Sequence, residues 1–311
     1  MRKGAMPSAK PDSIKPRRLH PGAVIGVVAP ASPFKRRVLM QGLKILQDMG
    51  YAIKTPPDLF VGKGYLAGTD EHRARQLQEM FIDDAVDAVM CARGGFGSLR
   101  MMPYLDWELL RHHPKPFIGF SDITALHHAF YQKAGMVTFH GPVVCSLPSS
   151  DRRTQASLHR ALSTHLALSF RGPEIRTIRS GMAEGILLGG NLTTLCHLVG
   201  TPFALNLTGA VLFLEDTGEV AYRIDRMLTQ MKLAGCFDGI QGVVLGSFSN
   251  GAKPAVIHDL VRQLFADPNL PILAGMAFGH GRRNLTLPMG VRVHLDADGR
   301  RLDLLECATS D

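Results

Sequence analysis

The chain has 311 residues, 45% of them hydrophobic and 20% charged, with a formal net charge of +8. That balance belongs to a water-soluble protein with room for two ordinary domains, and no apolar run approaches the roughly 20 residues of a membrane span. The charge does not mark a nucleic-acid binder: residues 1–20 hold six Lys/Arg against Asp12, a net of +5, which leaves +3 for the body, where no basic stripe interleaved with aromatics occurs.

Residues 1–19 are basic and Pro-rich and lack an apolar h-region. They read as a disordered tail rather than a secretory signal, and deleting residues 1–18 is expected to leave turnover and melting temperature nearly unchanged. "AVIGVVAPAS" (23–32) is a continuous apolar, β-branched run and predicts a buried strand, with a helix following through Leu46 and Met49. "YAIKT" is a second strand. "GTDEHRARQLQEMF" carries Thr69 or Asp70 as a cap and Ala74, Leu77, Met80 and Phe81 at helical spacing. "DAVMCA" is a third strand, running into the loop "RGGFG". "PFIGF" is a fourth, followed at once by a helix from Asp122 to about Ala134, and "GMVTFHGP" is a fifth. Strands alternating with helices over 20–150 predict βαβ units and a mainly parallel sheet.

From 151 to 180 periodicity fades, and this stretch reads as a linker or crossing segment. A second domain, 181–311, follows. In it "GILLGGNLTTLCHLVG" reads as strand, tight Gly-Gly turn and helix. "AVLFLEDTGE" is a strand ending in two acids, "YRIDRMLTQMKLAG" a helix, and "GVVLGSF", "PILAGMAFGH" and "GVRVHLDA" further strands. The five cysteines (Cys91, Cys145, Cys196, Cys236, Cys307) are odd in number and form no C-x-x-C pair. They fit a reducing compartment without a disulfide framework.

In open parallel sheets ligands bind at the carboxyl ends of the strands. Three of those ends here carry Ser121, Glu215 and His280, which is the inventory of a nucleophilic triad. Each residue alone is equally a mark of ordinary structure. Ser121-Asp122 is a helix N-cap pattern, Glu215-Asp216 a solvated strand end, and His280 a packed loop histidine. The serine motif lacks the last glycine of G-x-S-x-G, since Ile123 stands there, and the Gly-rich loop lacks the G-K-[ST] of a phosphate cradle. His112-His113 and His127-His128 are adjacent pairs that face different ways on a helix. No metal-ligand spacing is present, so neither metal nor cofactor is expected and chelation is expected to leave activity intact.

Together these corners match a known set. "GVVAPAS", "ARGGFGSLRMMPYLDW", "KPFIGFSDITALHHAF", "TFHGPV", "GGNLTTLCHLVGTPF", "LFLEDTGEVAYRIDRMLTQMKLAG", "GVVLGSF" and "FGHGRRNLTLPMG", in this order over about 20–297, resemble the LD-carboxypeptidase family of serine peptidases, the muramoyltetrapeptide carboxypeptidases. The resemblance implies an α/β fold: an N-terminal domain like class I glutamine amidotransferases that carries the serine, and a smaller, β-rich swivelling C-terminal domain that carries Glu and His. It implies a triad of Ser121, Glu215 and His280, and release of the terminal D-alanine from a cytoplasmic murein tetrapeptide during cell-wall recycling, by a homodimer. Backbone N–H groups of Asp122 and Gly95 are the expected oxyanion donors. Arg93, Arg223 and Arg226, with Arg282 and Arg283, are candidates to read a substrate carboxylate. Phe96 and Phe120 stand where Tyr is common. The alternatives are an immunity-type serine amidase similar to the microcin C immunity protein, which would need an added aromatic platform whereas the one tryptophan, Trp107, lies in a segment shared with the carboxypeptidases, and a non-catalytic sensor of peptidoglycan fragments.

Overall fold

The structure is a computed structural model that describes residues 13–311. The first half builds β1 (Val24–Val28), α1 (Arg36–Asp48), β2 (Ala52–Lys54), α2 (Asp70–Ile82), β3 (Ala88–Cys91), α3 (Ser98–Met101), α4 (Trp107–His112), β4 (Phe117–Gly119), α5 (Thr124–Ala129) and β5 (Thr138–His140). Strands β2-β1-β3-β4-β5 lie side by side in that order, all parallel. Alternation along these strands feeds two cores. Ile25, Val27, Met90 and Ile118 pack with Leu39, Leu43 and Leu46 of α1. Val28, Val89, Cys91 and Phe117 pack with Ala74, Leu77, Met80 and Phe81 of α2. With both faces covered the strands must be apolar throughout, which is why they read as runs rather than as alternations. Each fully buried Leu or Phe contributes roughly 1.5–3 kcal/mol relative to an exposed one. The cap of α2 is Thr69, whose hydroxyl accepts from the His72 N–H at 3.2 Å.

The second half builds α6 (Arg152–Ser163), β6 (Ser169–Arg171), β7 (Arg176–Arg179), β8 (Met182–Asn191), α7 (Leu192–Leu198), β9 (Ala210–Thr217), α8 (Ala221–Leu233), β10 (Gly242–Ser249), α9 (Pro254–Leu264), β11 (Ile272–Ala274), β12 (Leu287–Met289), β13 (Arg292–Asp296) and β14 (Arg301–Leu304). The second sheet runs β6-β14-β13-β8-β9-β10-β11-β7. Its centre, β8 to β11, is parallel, and its flanks are antiparallel. Strand β12 leaves this sheet and pairs antiparallel with β5 at the edge of the first, Leu287 opposite His140.

Several local expectations change. The pair Gly189-Gly190 is not a turn but the end of β8. Both residues have positive φ, and a Cβ on either would strike Phe213 main chain or Thr124, so glycine is there for close approach. The expected strand at 271–280 is strand only over Ile272–Ala274. The helix after β4 opens as a 3₁₀ turn (Ser121–Ile123) and closes as a π turn (Phe130–Ala134) around the α segment. The stretch 151–180 is not irregular: it forms α6 and two edge strands of the second sheet.

Residues 13–19, expected in a disordered tail, are packed. The Ile14 N–H donates to the Gly135 carbonyl at 2.7 Å, and the Ile14 carbonyl accepts from Val137 N–H at 2.9 Å. Leu19 is buried and its N–H donates to the Leu162 carbonyl at 2.8 Å. Lys15 pairs with Glu306 at 2.7 Å and Arg18 with Asp311 at 3.0 Å. The basic composition that suggested a solvated tail instead complements acids near the other end of the chain. Residues 1–12 of the expected tail lie outside the described residues.

Candidate active site

The loops after β1, β3 and β4 converge at one end of the first sheet. Ser121 stands two residues past β4 with φ +67°, a left-handed conformation that costs a non-glycine residue roughly 1–3 kcal/mol. It is therefore not an ordinary helix cap: the strained corner lifts the hydroxyl out of the helix start. Gly94 makes room for it. A Cβ there would lie 3.0 Å from Ser121 Cβ and 3.3 Å from its Oγ. The next residue, Gly95, has φ +103°, and a Cβ there would meet Ser32 instead. The Gly94 carbonyl accepts from Ser32 N–H at 3.2 Å. Because a trans peptide sets N–H opposite C=O, the Gly95 N–H points away from Ser32. The Asp122 N–H lies in the first helical turn, where no intrahelical acceptor exists. The Asp122 carboxylate is buried and turned back to accept from Ser98 N–H at 2.8 Å, capping α3. Burial raises its pKa, against the hydrogen bonds from Ser98 that lower it.

Glu215 comes from the buried strand β9 of the second sheet and is fully buried. Its Oε2 accepts from His280 Nδ1–H at 2.7 Å and from the His280 main-chain N–H at 3.0 Å. Gly279 (φ +89°) lies so close over that carboxylate that any Cβ would overlap it. Asn284 fixes the loop by accepting from Gly279 N–H at 2.9 Å. On the far side of the ring, His280 Nε2 is 3.1 Å from Ser121 Oγ. Burial alone depresses the His280 imidazolium. The hydrogen bond to Glu215, its charge and that of Asp216 outweigh burial and raise the pKa above the usual 6.5.

The structure thus brings Ser121, Glu215 and His280 into one chain of hydrogen bonds across the two sheets. Asp216, the other acid of the pair, faces elsewhere. It accepts from Asn191 Nδ2 (3.0 Å), Thr193 N–H (2.9 Å) and Thr193 Oγ1 (2.8 Å), tying down the start of α7. His127 and His128 donate from Nε2 to the carbonyls of Gly119 and Gly189, each at 2.8 Å. Burial lowers their pKa values to about 3 and about 4.

The arginine candidates separate. Arg93 donates to the Pro33 carbonyl at 2.7 Å and lines a cavity of about 410 Å³ with Cys145. Arg223 and Arg226 are exposed on α8, their guanidinium groups 6.0 and 5.7 Å from the Tyr222 ring centre. Neither lines the cavity of about 790 Å³ that opens beside His280. Arg282 and Arg283 do line it, together with Glu174 and Arg176. The last two come from the stretch 151–180, expected to be a linker, and sequence reasoning passed over them.

A parallel-sheet half that carries Ser121, joined to a half that brings Glu215 and His280 to it, is the architecture of a serine-type peptidase. The chain belongs to the LD-carboxypeptidase family: the model of the family's N-terminal domain matches residues 25–141, and that of its C-terminal domain matches residues 184–295. A Bacillus subtilis protein named "Probable murein peptide carboxypeptidase" is 36% identical over 96% of this chain and 96% of its own. The murein tetrapeptide carboxypeptidase of Pseudomonas aeruginosa is 34% identical over 89% of this chain and 94% of its own. Among solved structures, an MccF-like protein from Bacillus anthracis superposes with a TM-score of 0.89 at 26% identity, covering 94% of this chain and 100% of that one.

Proposed function

We propose that this serine carboxypeptidase releases the terminal D-alanine of murein tetrapeptides, with Ser121 as nucleophile, His280 as acid–base and Glu215 as the group that orients the imidazole. The observation that carries the reading is the continuous chain Glu215 Oε2···His280 Nδ1 (2.7 Å) and His280 Nε2···Ser121 Oγ (3.1 Å), anchored on the strained serine corner. Neutral His280 takes the Ser121 proton as Oγ attacks the carbonyl that precedes D-alanine. The oxyanion that forms is met by N–H groups of Asp122 and Gly95, each worth roughly 3 kcal/mol in such sites. Imidazolium then protonates the departing D-alanine nitrogen, leaving an acyl-Ser121 ester. Water, deprotonated by His280, hydrolyses that ester and regenerates the hydroxyl.

The alternative, an immunity-type amidase acting on a nucleotide-linked amide, draws on the likeness to the MccF-like structure. Against it, Trp107 packs edge-on with Phe130 and Phe203, at 5.7 and 6.3 Å, and does not line the cavity beside His280. No described helix is long and apolar enough to cross a membrane. The setting consistent with the substrate is cytoplasmic recycling of wall peptides, by a homodimer. Incubating the protein with murein tetrapeptide and with its C-terminal amide, and following D-alanine and D-alaninamide release by mass spectrometry, tests the reading. Release from the acid alone supports a carboxypeptidase. Equal release from both overturns it in favour of an amidase.

A further inference from the structure

The run that ends in Pro30-Ala31-Ser32 and the glycine-rich stretch 93–97 are separate motifs in the sequence. In the structure the first carries the second. Residues 94–98 are held at four points. The Gly94 carbonyl accepts from Ser32 N–H at 3.2 Å. The Ser32 hydroxyl accepts from Phe96 N–H at 3.1 Å and donates to the Phe96 carbonyl at 3.4 Å. Arg73, a buried residue of α2, donates from Nη1 to the carbonyls of Gly97, at 2.7 Å, and Pro30. Ser98 N–H donates to the Asp122 carboxylate at 2.8 Å. None of these bonds uses the Gly95 N–H, which lies in the middle of the held segment.

The packing is close enough to require the glycines. A Cβ on Gly95 would lie 2.5 Å from Ser32 Oγ and 2.7 Å from Ser32 Cβ, and one on Gly97 would lie 2.8 Å from Arg73 Nη1. Two adjacent glycines have wide conformational freedom, whereas an oxyanion donor is effective only when it is aimed before the reaction. That freedom has to be removed from outside the stretch. Ser32 removes it on both sides of Gly95: its main chain fixes the Gly94 carbonyl and its hydroxyl fixes the Phe96 N–H. A hydroxyl gives one proton and accepts others, and both capacities of Ser32 are used on Phe96. Arg73 sets the far end of the stretch. It is held in turn by Asp70, which accepts from its Nη2 and also pairs with Arg100 at 2.9 Å.

We propose that Ser32 is a positioning residue for the oxyanion hole: its hydroxyl locks Phe96 and thereby keeps the Gly95 N–H turned away from Ser32 and available to the oxyanion formed at Ser121. The nucleophile touches the same stretch, since a Cβ on Gly94 would stand 3.0 Å from Ser121 Cβ. Ser32 itself meets neither the substrate nor the reacting atoms in this scheme; it acts through the loop. The inference rests on the reading of Ser121 as nucleophile and of Gly95 as an oxyanion donor. It gives the end of the first strand a part in the reaction, although that strand contributes no member of the Ser121–His280–Glu215 chain.

The experiment compares wild type with Ser32→Ala in two reactions of Ser121. One is D-alanine release from murein tetrapeptide. The other is phosphonylation by an alkyl fluorophosphonate: Ser121 Oγ displaces fluoride from phosphorus, its proton passes to His280, and the phosphoryl oxygen takes the oxyanion position. Removing an oxyanion donor outright costs roughly 10²–10³-fold, and loosening one is expected to lower kcat by about 10-fold or more. KM is expected to stay unchanged, and the phosphonylation rate constant to fall by a similar factor. The pH inflection of kcat/KM is expected to stay in place, because the bonds of Ser32 lie in the 94–96 stretch and not in the Glu215–His280 pair. A general loosening of the site would move it. Ser32 is only partly buried, so water replaces the hydroxyl at Phe96 and the melting temperature changes little. A misfolded fraction lowers the amount of protein labelled, not the rate constant of the remainder. Wild-type rate constants in the variant, or a loss confined to KM or accompanied by a shifted inflection, overturn the assignment. Phosphonylation of Ser121 without D-alanine release overturns the substrate reading, and the ratio of phosphonylation rates still decides the role of Ser32. Neither reaction in the wild type overturns both.

Discussion

Glu215 holds His280 by two bonds to a single oxygen, one from the ring Nδ1–H at 2.7 Å and one from the main-chain N–H at 3.0 Å. The ring and its backbone are thus fixed by one carboxylate, which leaves Nε2 a single direction in which to point. The same contact, with the nearby charge of Asp216, lifts the His280 pKa above 6.5 against the opposing effect of burial. A base works unprotonated, so wild-type kcat/KM is expected to fall as pH drops through an apparent pKa above 6.5. Glu215→Gln removes the nearer charge and leaves burial opposed chiefly by Asp216. The inflection is then expected at lower pH, with kcat reduced on the order of 10⁴-fold, as when the buried acid of a triad is neutralised. A pH–rate profile of both proteins checks the direction of the shift.

Ser121→Ala is expected to abolish D-alanine release while keeping the fold. Ser121→Gly should be equally inactive yet more stable than the alanine variant by about 1–2 kcal/mol, because φ +67° suits glycine and strains alanine. Equal denaturation midpoints for the two variants would contradict a left-handed Ser121.

Gly94→Ala tests the space around the hydroxyl. The added Cβ would stand 3.0 Å from Ser121 Cβ and 3.1 Å from the Phe120 carbonyl, so something at the corner must move by a few tenths of an ångström. A misplacement of about 1 Å costs roughly 10²-fold in rate, which is the upper bound for this smaller shift. The expected signature is a lower kcat with little change in melting temperature.

Truncation separates the two parts of the basic N-terminal segment. A chain beginning at residue 19 loses the Ile14 bonds to Gly135 and Val137 and the Lys15–Glu306 pair, which a chain beginning at residue 13 keeps. At roughly 0.5–1.5 kcal/mol per hydrogen bond, the shorter chain is expected to melt several degrees lower. Identical melting curves would mean that these contacts add nothing.

Much of this architecture is legible in the residues themselves. Val24–Val28, Ala88–Cys91 and Phe117–Gly119 read as buried strands because two-sided burial demands unbroken apolar runs. Ser121, Glu215 and His280 stand out because strand ends in open sheets point into clefts. Other features leave no such trace. Glu215 and Asp216 are alike as letters, and only strand pleating decides that one meets the histidine and the other pins α7. The left-handed turn at Ser121 is accommodated beside Gly94, a contact between distant parts of the chain. Residues 13–19 dock through single bridges and ion pairs, which create no periodicity. Glu174 and Arg176 reach the cavity only because β7 joins the edge of a sheet whose other strands lie far along the chain.

Strand β12 closes the edge of the first sheet with residues that are synthesised late. During translation, β5 emerges about 147 residues before Leu287, which at roughly 5–20 residues per second is an interval of about 7–30 s. Over that time the edge at Thr138–His140 has backbone donors and acceptors with no strand to pair them, a template for the edge of another nascent chain. The serine-bearing half is thus built early but cannot be sealed until the loop of His280, just before β12, has also left the ribosome. Completion of the first sheet and arrival of His280 at Ser121 are in this way a single late event in the life of the chain.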